Sequence, residues 1–127
     1  MKLGMIGLGR MGGNMSERLI NDGHEVVVFD PDSSAVTSVT EKGASGASSL
    51  EEVVSQLETP RTVWVMVPSG DTTESVVNSL VELLDEGDTL IDGGNSNYKE
   101  SQRRSEHAAQ SGIDFLDSGT SGGVWGL

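Results

Sequence analysis

Short apolar runs in this chain alternate with stretches in which apolar residues recur at helical spacing. Residues 2–7 read as an opening strand, and Met11, Met15, Leu19 and Ile20 then fall on one face of a helix. Glu25-Val26-Val27-Val28-Phe29 is a second apolar run and a second strand. Polar-rich Ser33 to Glu41 predicts a helix stopped by Gly43. Leu50 to Leu57 predicts another, capped by Ser48 or Ser49 and followed by Pro60. Thr62 to Val67 is continuous and rich in β-branched residues, the pattern of a strand buried on both faces. Thr72 to Leu84 carries Val76, Val77, Leu80, Val81, Leu83 and Leu84 as a helical stripe, with Gly87 beyond its end. A strand over Thr89–Asp92, a polar helix over Tyr98–Ser111 and a last strand over Ile113–Asp117 complete the pattern. Strand-helix alternation of this kind implies right-handed crossovers, and so an α/β fold with a mostly parallel sheet and helices on both faces.

In such a sheet, ligands bind at the carboxyl ends of the strands. The predicted loops on that edge are Gly7 to Gly12, Asp30 to Asp32, Pro68-Ser69-Gly70, Gly93 to Asn97 and Ser118 to Gly123, built largely from glycine or small polar residues. That first loop, Gly7-Leu8-Gly9-Arg10-Met11-Gly12, spells G-x-G-x-x-G after a strand and before a helix. Gly7 permits the tight turn, Gly9 lets backbone approach a pyrophosphate, and Gly12 lets helix and strand pack closely. Free N–H groups at the helix start then hold phosphate. Asp30 ends the second strand 18 residues after Gly12, where a carboxylate accepts bonds from the adenosine ribose hydroxyls of NAD. It also repels the 2′-phosphate of NADP: unit charges ~4 Å apart interact by about 4 kcal/mol at an effective dielectric of ~20. Asp32 adds charge of the same sign, and no Arg or Lys lies between Ile20 and Glu41 to receive a phosphate. A plain glycine-rich turn and a plain polar turn are the alternatives, but motif, helix and acid coincide. Asp85-Glu86-Gly87-Asp88, on the opposite edge, reads as an ordinary turn.

The chain has 127 residues, 35% of them apolar, which suits one domain over 1–127 with a real core. Twenty acidic residues against 8 basic give a net charge of −12. That excludes the basic footprint needed for nucleic acid or anionic membrane, yet leaves room for NAD, whose phosphates are met locally by backbone. It also suits a high-salt habitat or any well-solvated acidic surface. Without cysteine there is no disulfide or thiolate chemistry. His24 and His107 are too far apart in sequence to suggest a metal site. No apolar stretch approaches the ~20 residues of a membrane span, and no signal peptide is visible. A cytoplasmic location is the expectation.

Gly7-Leu8-Gly9-Arg10-Met11-Gly12-Gly13-Asn14-Met15, Asp92-Gly93-Gly94-Asn95-Ser96-Asn97-Tyr98 and Ser121-Gly122-Gly123 resemble 6-phosphogluconate dehydrogenase. The first motif is shared with the wider β-hydroxyacid dehydrogenase superfamily, including 3-hydroxyisobutyrate dehydrogenases; the second points to the phosphogluconate branch. Asp30-Pro31-Asp32 resembles the NAD-preferring form, since NADP-using members carry Asn-Arg-Thr there.

The resemblance implies a Rossmann-type, doubly wound sheet. It further implies oxidative decarboxylation of 6-phosphogluconate to ribulose 5-phosphate, in the pentose phosphate pathway. Gly7, Leu8, Gly9, Arg10, Met11, Gly12 and Asp30 would bind NAD. Val67, Pro68 and Ser69 would line the nicotinamide side, Asn95 would touch nicotinamide ribose and substrate, and Ser121, Gly122 and Gly123 would hold the substrate. Pro68 stands where NADP-using members commonly have a lysine. The family's general base, a lysine, and general acid, a glutamate, both follow the substrate loop, so this chain alone is expected to be inactive. Its helical dimerisation domain follows too, so an apolar surface around Val124, Trp125 and Leu127 is expected to favour self-association. The alternatives are a 3-hydroxyisobutyrate-type enzyme and a free-standing, non-catalytic nucleotide-binding module.

Overall fold

Strand β1 (Lys2–Ile6), with Leu3, Met5 and Ile6 buried, lies inside a six-stranded sheet in which every pairing is parallel. The structure, a computed structural model, describes residues 2–66, 71–93 and 106–117. Helix α1 (Arg10–Asn21) leads to β2 (Glu25–Phe29), which sets Leu3 opposite Val26 and Met5 opposite Val28. Helix α2 (Ser33–Thr40) leads to β3 (Ser45–Gly46) on the outer side of β2. Helix α3 (Leu50–Gln56) then returns the chain to β4 (Thr62–Val65) on the free side of β1. Helix α4 (Asp71–Leu83), β5 (Thr89–Asp92), a helical turn at 106–110 and β6 (Asp114–Asp117) extend the sheet further. The order is β3-β2-β1-β4-β5-β6. Winding therefore reverses between β1 and β4, and a crevice opens outside the carboxyl ends of those strands.

Alternation along the strands divides the core. Leu3, Met5, Val26 and Val28 pack with Met15, Leu19 and Ile20 of α1 and with Val36 and Val39 of α2. Val27, Ile6, Val63 and Val65 face the other way, onto Val53 and Val54 of α3 and Val77, Leu80 and Val81 of α4. Helices thus cover both faces, which is why these strands are apolar throughout. At Gly4 a Cβ would lie 2.8 Å from Val53 Cγ1, so α3 sits against β1 at a distance that only glycine allows.

The expected elements appear with small shifts. The first strand ends at Ile6, because Gly7 turns away with φ of 95°. Of the expected strand over 62–67, Thr62–Val65 is strand, Met66 still donates to the Ile6 carbonyl at 2.7 Å, and Val67 lies outside the described residues. Of the helix expected over Tyr98–Ser111, residues 106–110 are helical, and 98–105 lie outside the described residues. Two features depart from expectation. Strand β3 has exposed Ser45 and Gly46 and no apolar signal; it exists because β2 offers an unpaired edge, where Ala47 N–H also donates to Val28 O at 2.9 Å. The supposed ordinary turn before β5 ends in Asp88, which is fully buried. Its carboxylate accepts from Arg61 N–H (2.6 Å), Arg61 Nη1 (3.2 Å) and Asp85 N–H (2.8 Å), tying the starts of β4 and β5 together.

Candidate functional site

The turn after β1 is shaped by glycines with different tasks. Gly7 takes a left-handed φ of 95° while its N–H bonds the Phe29 carbonyl at 2.9 Å, so it leaves β1 without breaking contact with β2. At Gly12 a Cβ would strike the Gly7 carbonyl oxygen and come within 3.4 Å of Met66 Cβ. At Gly9 a Cβ would meet nothing within 4 Å. Gly12 is therefore demanded by the packing of α1 on the sheet. Gly9 instead keeps space clear above the helix start, where Arg10 and Met11 follow. The first turn of α1 carries no acidic residue and Gly9 supplies no side-chain cap, so its N–H groups and positive dipole end suit an anion.

Asp30, just past β2, is brought directly to this turn. Its Oδ2 accepts the Leu8 N–H at 2.7 Å and its Oδ1 accepts the Asp32 N–H at 2.8 Å. The carboxylate thus braces the glycine turn, and each oxygen retains lone-pair capacity for a further donor. Asp32 caps α2, accepting from the Ser34 hydroxyl at 2.6 Å and the Ser34 N–H at 3.0 Å. Those bonds hold its carboxyl below the ordinary value of 3.8, so it is ionised at neutral pH.

Beside Asp30 a groove of about 530 Å³ opens between the end of β2 and the starts of α2 and α3. Phe29, Val36 and Ala47 give it an apolar lining, and Asp30 and Glu52 give it charge. Glu52 escaped the sequence reading. Its only signal was Ser49-x-x-Glu52, a helix-start pattern, and Ser49 Oγ does accept the Glu52 N–H at 3.1 Å. The Glu52 side chain turns instead to the Ser48 hydroxyl, at 2.8 Å.

Next to the switch point, Gly93 N–H donates to the Val65 carbonyl at 2.8 Å, and a Cβ there would strike Met66 Sδ and Trp64 Nε1. Asp92, beside it, is fully buried. Val67, Pro68, Ser69, Asn95, Ser121, Gly122 and Gly123 lie outside the described residues, as do Val124, Trp125 and Leu127. The geometry therefore unites the glycine turn with Asp30 and adds Glu52.

A glycine turn braced by an acid from the neighbouring strand, at a switch point of a 3-2-1-4-5-6 sheet, is a dinucleotide cradle. Residues 2–127 match the family described as the NAD binding domain of 6-phosphogluconate dehydrogenase. The chain belongs to this family. The NAD(+)-dependent, decarboxylating 6-phosphogluconate dehydrogenase of Haloferax volcanii is 43% identical over 126 residues, which are 99% of this chain and 41% of that protein. Among solved structures, Plasmodium falciparum 6-phosphogluconate dehydrogenase superposes with a TM-score of 0.84 at 26% identity, over 96% of this chain and 27% of that one. Mycobacterium tuberculosis 3-hydroxyisobutyrate dehydrogenase superposes with a TM-score of 0.87 at 28% identity, over 98% of this chain and 42% of that one. The chain thus spans less than half the length of each of these proteins. Among the described residues, no helix is long and apolar enough to cross a membrane.

Proposed function

We propose that this chain is the cofactor-binding part of an NAD-preferring 6-phosphogluconate dehydrogenase, which oxidises and decarboxylates 6-phosphogluconate to ribulose 5-phosphate in the cytoplasm. The observation that carries this reading is the bond from Leu8 N–H to Asp30 Oδ2, which places the acid of β2 against the phosphate-binding turn. The residues fit the group. Gly9 leaves open space for backbone to approach a pyrophosphate, and the first N–H groups of α1, from Gly9 to Gly12, hold its charge. Asp30 accepts the adenosine ribose hydroxyls on the lone pairs that Leu8 and Asp32 leave over. When bound, NAD supplies the acceptor for the substrate's hydride. Val67, Pro68 and Ser69 line the nicotinamide side, Asn95 contacts both nicotinamide ribose and substrate, and Ser121, Gly122 and Gly123 hold the substrate's hydroxyl and carboxyl region, as the family resemblance assigns them.

Preference for NAD follows from charge. A 2′-phosphate would enter beside Asp30 and ionised Asp32. Even half of the ~4 kcal/mol Coulomb term for one such pair gives more than tenfold discrimination. The Haloferax relative is named as NAD(+)-dependent, whereas the Plasmodium enzyme was solved with NADP+, so the family contains both uses. The close superposition on 3-hydroxyisobutyrate dehydrogenase supports a second reading, a different hydroxyacid substrate on the same cofactor domain. The stretch Asp92-Gly93-Gly94-Asn95-Ser96-Asn97-Tyr98 favours phosphogluconate. Calorimetric titration with each nucleotide is the test, with NAD expected to bind at least about tenfold more tightly than NADP. Equal affinities would remove Asp30 from its role.

A further inference from the structure

We infer that Met66 is a positioning residue for the nicotinamide half of the cofactor, a side chain that sets where the chain leaves β5 relative to the glycine turn. The inference rests on the dinucleotide reading above and adds the residue that joins two of the loops the cofactor must bridge. A dinucleotide lies across the switch point, with its phosphates at the turn after β1 and its two halves on either side. Met66 touches the elements on both sides of that crossing.

Met66 follows the last residue of β4, and its N–H donates to the Ile6 carbonyl at 2.7 Å, where the glycine turn begins. On the other side, Gly93 N–H donates to the Val65 carbonyl at 2.8 Å as the chain leaves β5. The backbone of Val65 and Met66 is thus bonded to the starts of both loops. The Met66 side chain makes the same link on the α1 face of the sheet, where Met66 and Trp64 pack with the cluster of Leu3, Met5 and Val28. A Cβ at Gly12 would come within 3.4 Å of Met66 Cβ, whereas a Cβ at Gly93 would strike Met66 Sδ and Trp64 Nε1 and lie 3.1 Å from Trp64 Cδ1. The root of the Met66 side chain therefore lies against α1 and its sulfur against Gly93. In a close-packed interior, a change at one end of such a spacer is felt at the other.

What depends on Gly93 is the placement of the loop beyond it. Asn95, assigned above to nicotinamide ribose and substrate, is two residues further on, and two residues span at most about 7 Å. Where Gly93 sits therefore bounds where Asn95 can act, and binding groups lose hydrogen bonds when their support loosens. The adenosine half is held separately, by an Asp30 that the Leu8 and Asp32 N–H groups brace. Loss of the sulfur should thus affect one half of the cofactor and spare the other. Met66→Ala suits the test, because it keeps Cβ beside Gly12 and deletes Sδ beside Gly93. Met66→Val deletes Sδ with a smaller loss of volume, and Met66→Leu restores nearly the whole volume.

The experiment is calorimetric titration of the 127-residue chain, wild type and the three variants, alongside thermal melting. The ligands are NAD and ADP, which carries the adenosine and both phosphates but neither nicotinamide nor its ribose. Relative to wild type, the NAD-to-ADP affinity ratio should fall about threefold to tenfold in Met66→Ala and Met66→Val, and stay within about twofold in Met66→Leu. A merely structural role would lower the melting temperature and weaken both ligands together. An unchanged or raised ratio in the folded Ala and Val variants therefore overturns the inference, while ADP binding keeps the dinucleotide reading intact. A ratio that falls as far in Met66→Leu as in Met66→Ala also overturns it, because the space Met66 fills would not be what matters. A wild-type chain that binds neither ligand overturns both readings.

Discussion

At the scale of single residues, two glycines three apart in sequence separate folding from binding. Gly12→Ala drives a methyl group into the Gly7 carbonyl, a backbone atom that cannot rotate away. It should lower stability by about 2–3 kcal/mol or more, measured by urea unfolding. Gly9→Ala adds a methyl in open space at a φ of −63°, ordinary for alanine. It should leave the melting temperature nearly unchanged while weakening NAD about tenfold or more in calorimetry. A stable Gly12→Ala protein or a tightly binding Gly9→Ala protein would contradict the division. Asp30 shares both tasks. Asp30→Ala should relax discrimination against NADP and also weaken NAD, because the Leu8 and Asp32 N–H groups lose their acceptors. Asp32 sets a pH dependence. Its folded value lies below 3.8, through the Ser34 hydroxyl first and the Ser34 N–H second. Its contribution is therefore complete above the ordinary carboxylate value and is lost as pH falls through the lowered one. Acid titration of thermal stability should show a shallower loss below about pH 4 in Asp32→Ala than in wild type.

Among the elements, the parallel strands and amphipathic helices were readable because burial on one or both faces writes a period into the sequence. Val26, Val27 and Val28 announce β2, and the stripe from Val76 to Leu84 announces α4. Strand β3 was not readable, since Ser45 and Gly46 are exposed and are ordered by backbone pairing with Val27 and Val28 alone. Missing β3 meant missing its loop, and with it Glu52 as part of a groove. The junction of β4 and β5 was equally opaque. Asp88 looks like one more acid in an acidic turn, yet it is fully buried with two backbone N–H groups and a guanidinium as donors. Asp88→Ala should cost about 3–5 kcal/mol in urea unfolding, because Arg61, whose side chain is 18% exposed, would keep a half-buried charge without its inner partner. Arg61→Ala should cost less, about 1–2 kcal/mol, because Asp88 would keep its two N–H donors.

For the whole molecule, a net charge of −12 on 127 residues means that like charges repel throughout the folded surface. Salt should therefore stabilise it: raising NaCl from ~0.05 to ~0.5 M should lift the melting temperature by a few degrees, as scanning calorimetry would show. A falling melting temperature would mean that the ion pairs of Lys42 and Arg61 outweigh the repulsion. The sequence by itself determined the α/β class, the glycine turn and the acid that follows it, because those depend on local periodicity and on conformations that few residues adopt. Only the tertiary structure decided that Gly12 serves packing while Gly9 leaves space, that Asp30 braces Leu8, that Asp88 is a buried hub, and that Glu52 faces the groove of Asp30. Each of these is a meeting of residues far apart in the chain or a clash with another element's backbone. Such contacts leave no period in a sequence, because they are set by how strands are ordered and helices seated once the chain has folded.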